Sequence, residues 1–273
     1  MSSKDYKRIT TNTLSEMKVS GEKIAMLTAY DFTLAGIIDK AGIDVILVGD
    51  SASNVMAGHE TTLPITLEQI IYHASSVIRA VKRALVVVDL PFGTYQSDSK
   101  EALRSAIKIM KESGAHAVKL EGGSKVVESI ERILQAGIPV MGHLGLLPQT
   151  AKKYSVQGKT EDDAEILLED SKSLEAAGCF TIVYEMVASE TMKKITGSVN
   201  VPTIGIGCGK FCDGQVLVIH DMLGLYDKIN PKFVKRYLSL SDPIRKAVSE
   251  YIDDVESQTF PAEEHSYHME SQT

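Results

Sequence analysis

A closed (β/α)8 barrel is the fold class that this 273-residue sequence predicts, on three observations. Short apolar, β-branched runs recur eight times; helical stretches stand between them; and several of the runs end in an ionisable residue. The runs are Ile24 to Ala29, Asp44 to Val48, Leu85 to Asp89, Ala117 to Leu120, Pro139 to Gly142, Phe180 to Tyr184, Pro202 to Ile206 and Val216 to Ile219. Continuous apolar strands alternating with helices belong to a parallel sheet that is covered on its outer face, and eight such units in about 250 residues is the size of a closed barrel.

The helices follow from spacing. Between the second and third runs, Leu67, Ile70, Ile71, Ala74, Val77, Ile78 and Val81 keep the i, i+3, i+4, i+7 pattern of one buried face. A further helix follows Ser97 to Lys100, with Leu103, Ala106, Ile107 and Met110 expected on its inner side. Gly42, Gly114, Gly137 and Gly178 stand just before strands, where a helix ends in a left-handed residue. An open doubly wound sheet competes, but it would usually carry a glycine fingerprint after its first strand, and Thr28 to Phe32 has no glycine. Gly205, Gly207 and Gly209 lack the GxGxxG spacing and read first as a tight strand-end turn, with an anion cradle as the sharper alternative. The whole reads as a single barrel domain over 1–273, with a short N-terminal extension and a loosely structured tail from Pro261.

Bulk properties narrow the function. With 44% apolar and 24% charged residues the chain is an ordinary globular one, and a net charge of -7 without a basic stripe offers nucleic acid no general attraction. Met1 to Lys18 is polar, unlike a signal peptide, and no apolar run approaches the roughly 20 residues that span a bilayer, so a cytoplasmic enzyme without membrane partners is expected. Cys179, Cys208 and Cys212 are too few for a disulfide framework and read as ordinary thiols.

The strand ends carry the chemistry: Asp50, Asp89, Lys119 with Glu121, His143 and Glu185. In a barrel these ends share one rim, and Lys119 and Glu121, two apart, project to the same side. Asp50, Asp89 and Glu121 come from neighbouring strands roughly 4.8 Å apart, and carboxylates so close need a cation or protons between them. All-oxygen ligands suit magnesium, with one of the three able to act through water. Taken singly, Asp50 or Asp89 reads better as a cap of a turn or helix; together with Lys119 and Glu185 they read as a site. Glu185, across the mouth, suits a general base, with a lysine ion pair as its bland alternative. Lys119 suits a substrate carboxylate or enolate oxygen, or else simply pairs with Glu121. His143 orients a carboxylate, touches substrate, or is structural.

The same residues carry a resemblance. Leu47-Val48-Gly49-Asp50-Ser51, Gly58-His59, Thr62-Leu63-Pro64, Asp89-Leu90-Pro91-Phe92, Val118-Lys119-Leu120-Glu121-Gly122-Gly123 and Gly142-His143-Leu144-Gly145-Leu146 occur in order. Val156-Gln157-Gly158, Glu185, Ile204-Gly205-Ile206-Gly207, Asp213-Gly214-Gln215 and Glu263-Glu264-His265-Ser266-Tyr267-His268 follow. From about Ile24 to His268 the chain resembles the 3-methyl-2-oxobutanoate (ketopantoate) hydroxymethyltransferase family. The resemblance implies a phosphoenolpyruvate/pyruvate-type barrel, one Mg2+ per subunit at Asp50, Asp89 and Glu121, and 2-oxo acid binding by Asp50, Ser51, Asp89 and Lys119. It implies Glu185 as proton acceptor, 5,10-methylenetetrahydrofolate as co-substrate, 2-dehydropantoate as product and a cytoplasmic homodecamer. Ala52 and Ser53 replace the family's Leu-Gly, the loop from Pro148 to Val156 lacks its Gly-Gly pair, and Cys208 stands where alanine is common. Two other classes compete: a Schiff-base aldolase using Lys119, and a non-catalytic barrel that binds an organic acid.

Overall fold

The computed structural model describes residues 7–226 and 231–269. In chain order the elements are α1 (Thr11–Ser20), β1 (Ile24–Thr28), α2 (Phe32–Ala41), β2 (Val45–Val48), α3 (Ala52–Val55), α4 (Leu67–Ala80), β3 (Leu85–Asp89), α5 (Ser99–Ser113) and β4 (Ala117–Glu121). There follow α6 (Val127–Gln135), β5 (Val140–Gly145), α7 (Glu161–Ala177), β6 (Thr181–Glu185), α8 (Ser189–Thr196), β7 (Thr203–Ile206), β8 (Gly214–Leu217), α9 (Ile219–Met222) and α10 (Ser241–Glu256). The eight strands close into a parallel barrel in sequence order, with β8 pairing back onto β1. All eight predicted runs are strands, although β8 begins at Gly214, two residues before the expected start, and Ile219 already belongs to a helix. The β7–β8 connection carries no helix, in keeping with the turn reading of Gly205 to Gly209; Gly207 and Gly209 have φ of 70° and 75°.

Helix starts are set by side chains that accept otherwise orphaned N–H groups. Asp31 accepts from Leu34, Asp98 from Lys100 and Glu101, and Thr160 from Asp163, while Thr66 and Gln69 cap α4 reciprocally. Gly42, Gly114, Gly137 and Gly178 all take the expected left-handed conformation. On α4 the predicted face is buried at Ile70, Ile71, Ala74 and Val77. On α5 the face is rotated: Ala102, Ser105, Ala106 and Ile109 are buried and Ile107 is exposed. Small side chains let α5 approach its neighbours closely, so the largest residues of the segment do not mark its inner side.

The barrel interior is filled by Met26, Val45, Leu47, Leu85, Val87, Ala117, Met141, Val183, Ile204 and Val216. The N-terminal extension forms α1, and Ile9, Leu14 and Met17 join that core at its floor. Lys18 anchors it, donating to Asp213 at 2.8 Å and to the Thr196 carbonyl at 3.3 Å. Residues 1–6 of the extension lie outside the described residues.

The chain divides into two compact units, Met1–Ile219 and His220–Thr273. The second contains α10, a helix that the periodicity analysis did not mark, followed by a short 3-10 turn at Glu263–His265 inside the segment expected to be loose. His268 lies 3.0 Å from Glu263 there, and residues 270–273 of the tail lie outside the described residues.

Gly145 closes β5 where β6 delivers Glu185. Its φ is 90°, and a Cβ there would lie 2.3 Å from the Glu185 carbonyl oxygen and 2.7 Å from Val187 Cγ2. Gly145→Ala is therefore expected to lower the unfolding free energy by about 3 kcal/mol, checked by chemical denaturation. A loss below roughly 1 kcal/mol would mean that the β5–β6 rim yields without strain.

Candidate active site

Strand alternation builds the site. On β3, β4, β5 and β6, the inner positions that begin as core residues (Val87, Ala117, Met141, Val183) continue two or four residues later as Asp89, Lys119 and Glu121, His143, and Glu185. Register sets them side by side: Asp89 is paired with Lys119 and Glu121 with His143. Asp50 and Ser51 come from the loop after β2, where the Asp50 N–H donates to Asp89 Oδ2 at 3.1 Å. Asp89 thus partly does the bland work of holding a turn while also facing the cluster.

The structure brings every predicted site residue to this rim. Lys119 Nζ donates to Asp89 Oδ1 at 2.5 Å, so its partner is Asp89 rather than Glu121. His143 Nδ1 lies 3.4 Å from Glu121 and its Nε2 3.6 Å from Glu185, so the imidazole stands between two carboxylates. Both approaches are too long for good hydrogen bonds, and neither ring nitrogen completes one. Glu185 therefore has a histidine, not a lysine, as its neighbour. Ser51 Oγ is 2.8 Å from the Tyr30 hydroxyl. Directly after Glu185, Met186 takes a left-handed φ of 49°, a conformation that non-glycine residues rarely hold away from functional turns.

Three side chains of the site escaped the sequence analysis: Tyr30, Tyr95 and Gln149. Gln149 donates to Asp50 Oδ2 at 2.9 Å, and the Tyr95 hydroxyl donates to Gln149 Oε1 at 2.7 Å. None sits on a strand, so no alternation marks them, and neutral groups carry no charge signal. The one available cue was Gln149's place directly after Pro148, in the loop already set apart for its missing Gly-Gly pair.

Asp50, Asp89, Glu121 and Lys119 are each at most 5% exposed, which sets three carboxylates against one ammonium inside the protein. Burial, then Asp89, then Glu121 push the Asp50 carboxyl up to about 8. Burial works against the Lys119 ammonium, but Asp89, Glu121 and Asp50 outweigh it and hold the pKa above the ordinary lysine value. Burial likewise raises Glu121, yet the His143 imidazole and Lys119 overcome it and leave that carboxyl below its usual range. Glu185, with 19% of its side chain exposed at the mouth, is pushed up to about 8 by burial and then by Glu121.

Surplus buried negative charge of this kind suits a divalent cation with oxygen ligands. Among the described residues no three acidic, histidine or cysteine side chains converge closely enough to ligate one ion directly. The donor set therefore fits a cation held by two carboxylates at most, with remaining positions left to water and substrate oxygens, the usual habit of magnesium. Asp50 and Asp89, tied by the Asp50 N–H, are the adjacent pair; Glu121 is turned toward His143 and the Gln149 N–H. Cys179, Cys208 and Cys212 are free and buried, and none joins the cluster. No helix among the described residues is long and apolar enough to cross a membrane.

Comparison with known proteins bears on family and fold. Residues 8–263 match the family described as ketopantoate hydroxymethyltransferase. The chain is 64% identical over 267 residues to the 3-methyl-2-oxobutanoate hydroxymethyltransferase of Flavobacterium johnsoniae, covering 97% of this chain and 98% of that protein. Among solved structures, a phosphonopyruvate hydrolase in complex with oxalate and Mg++ superposes with a TM-score of 0.62 at 10% identity, covering 94% and 93% of the two chains. A 2,3-dimethylmalate lyase, a member of the PEP mutase/isocitrate lyase superfamily, gives 0.59 at 13% identity over 96% and 92%. Both structural likenesses concern the fold, the closed (β/α)8 barrel expected.

The raised Glu185 carboxyl has a consequence for stability. The native protein holds that proton up to about pH 8, whereas the unfolded chain releases it near the ordinary 4.5. The native state binds more protons in that window, so its stability falls as pH rises through it. Thermal unfolding of metal-free protein is expected to show Glu185→Gln gaining on the wild type between about pH 5 and about pH 8. An unchanged gap would mean that Glu185 ionises as it does in water.

Proposed function

We propose, from the premise that the chain belongs to the ketopantoate hydroxymethyltransferase family, that it transfers a hydroxymethyl group from 5,10-methylenetetrahydrofolate to 3-methyl-2-oxobutanoate, giving 2-dehydropantoate. The observation that carries this is the position of Glu185: a proton-holding carboxyl on the rim, beyond His143 from the Asp50, Asp89, Lys119 and Glu121 cluster. A 2-oxo acid bound at that cluster presents its C3 hydrogen to a carboxylate whose affinity for protons suits a base working near neutral pH.

Asp50 and Asp89 would hold one Mg2+ per subunit, with Glu121 acting on it through water; the ion would supply Lewis acidity and neutralise the charge that enolisation develops. Lys119, kept cationic by its carboxylate neighbours, faces the substrate's carboxylate or ketone oxygen and lowers the cost of that charge. Ser51, steadied by Tyr30, binds the same acid. Glu185 takes the C3 proton, and His143, between Glu185 and Glu121, keeps the two acids apart. C3 bonds to the methylene carbon, both C–N bonds that held that carbon to the folate break, and water supplies the hydroxyl; the proton taken from C3 and the second proton of water go to the two nitrogens of the departing tetrahydrofolate. The Schiff-base alternative needs a neutral Lys119 amine, and the three carboxylates around it favour the ammonium instead. A merely binding barrel has no use for a base at Glu185.

Cytoplasmic location and a homodecamer belong to the same reading. The support for assembly with further copies of the chain lies on α10, where Ile244, Val248, Tyr251, Ile252 and Val255 recur at helical spacing and all remain exposed. An apolar stripe of that length left in water is unusual on a monomer.

Two measurements test these points. With Mg2+ present, Glu185→Gln is expected to bind 3-methyl-2-oxobutanoate while its C3 hydrogen no longer exchanges in heavy water, as followed by proton NMR; exchange at the wild-type rate would remove Glu185 from its role. Placing aspartate at both Val248 and Tyr251 is expected to lower the native mass by light scattering, and an unaltered mass would exclude the α10 stripe from the assembly.

A further inference from the structure

The Gln149 side chain uses all of its hydrogen-bonding capacity. Its Nε2 donates to Asp50 Oδ2 at 2.9 Å and to the Leu90 carbonyl at 3.0 Å. Its Oε1 accepts from the Tyr95 hydroxyl at 2.7 Å and from Gln96 Nε2 at 3.0 Å, and its backbone N–H donates to Glu121 Oε2 at 3.1 Å. The residue is 3% exposed. Two donors and two acceptor positions are all that a primary amide offers, so no spare group is left to seek another partner. The orientation is also determined. The Leu90 carbonyl can only accept, which assigns the NH2 to that side, and the Tyr95 hydroxyl, which accepts the Glu121 N–H at 3.1 Å, donates to Gln149 Oε1 at 2.7 Å in preference to the Glu121 carbonyl at 3.3 Å.

We infer that Gln149 is a positioning residue for the acidic cluster: from the β5 loop it locks Asp50, in the loop after β2, and Glu121, at the end of β4, in the one arrangement that receives cation and substrate. The assignment rests on the reading of that cluster as the binding site. One residue joins the loops after β2, β3 and β5 to the end of β4, and it touches two carboxylates through two separate groups. Asp50 Oδ2 is taken by the amide, and the Gln149 N–H holds Glu121 Oε2 while His143 stands at Oε1. Without the amide the Asp50 carboxylate is free to turn about its χ2, and a cation site loses one of its two closest ligands. Partners that orient metal ligands in this way are commonly worth 10–100-fold in affinity.

The test uses Mn2+ as probe, titrated into the full-length, substrate-free protein and followed by electron paramagnetic resonance. Gln149→Ala is expected to weaken Mn2+ binding about 10–100-fold. C3 exchange of 3-methyl-2-oxobutanoate at fixed low Mn2+ should fall with it, while saturating Mn2+ restores much of the rate. Tyr95→Phe removes the hydroxyl that fixes the amide but leaves Gln149 in place. It should weaken Mn2+ binding in the same direction by less, and it serves in full if the alanine variant does not fold. A variant that loses melting temperature but binds Mn2+ as the wild type does would make Gln149 a merely structural residue and overturn the assignment. If instead the wild type itself neither binds Mn2+ nor exchanges the hydrogen, the cluster reading fails, and the assignment built on it falls with it.

Discussion

Three carboxylates share a buried rim with a single ammonium, and that imbalance governs the active end of the barrel. Burying ionised groups without full compensation is costly, so the site must hold a proton, a cation or an ordered set of donors wherever the sum is negative. Lys119 neutralises Asp89, the Asp50 N–H and the Gln149 amide lean on carboxylate oxygens, and His143 sits between Glu121 and Glu185. What remains unbalanced shows in the raised Asp50 and Glu185 carboxyls. Under the proposed function, the same surplus that would weaken an ordinary core would receive a divalent ion and a substrate whose reaction generates negative charge.

Such an arrangement needs a scaffold that does not yield, and the barrel supplies one. Valines and methionine fill the levels beneath the rim, and α1 closes the floor with Leu14 and Met17. Side chains on the rim therefore rest on a packed layer rather than on solvent. Parallel pairing with fixed register then sets the relations among Asp89 and Lys119, and among Glu121 and His143, through the backbone rather than through the side chains themselves. The left-handed residues Gly145 and Met186 stand at the β5–β6 end, where Glu185 leaves the sheet.

The loops complete what the strands begin. Asp50, Tyr95 and Gln149 are loop residues, and their mutual hydrogen bonds hold three connections together over the mouth. A family relation at 64% identity along nearly the whole chain is consistent with an apparatus of this kind, in which a change in any one loop is felt by carboxylates supplied by the others.

The sequence by itself determined the barrel and its charged rim. Eight apolar runs, their helical spacers and the glycines before strands are local signals, and period-two alternation was enough to send Lys119 and Glu121 to one side, because those features depend only on near neighbours in the chain. It did not determine the inner face of α5, where small residues rather than Ile107 are buried, nor the helix at Ser241–Glu256, whose apolar stripe stays largely exposed, with Tyr251 against Phe260. Only the tertiary structure decided which acid Lys119 would meet, that His143 would separate Glu121 from Glu185, and that Gln149 would clasp Asp50 across 99 residues of chain. Contacts of that kind depend on angle and distance between distant segments, and a linear order of residues carries neither.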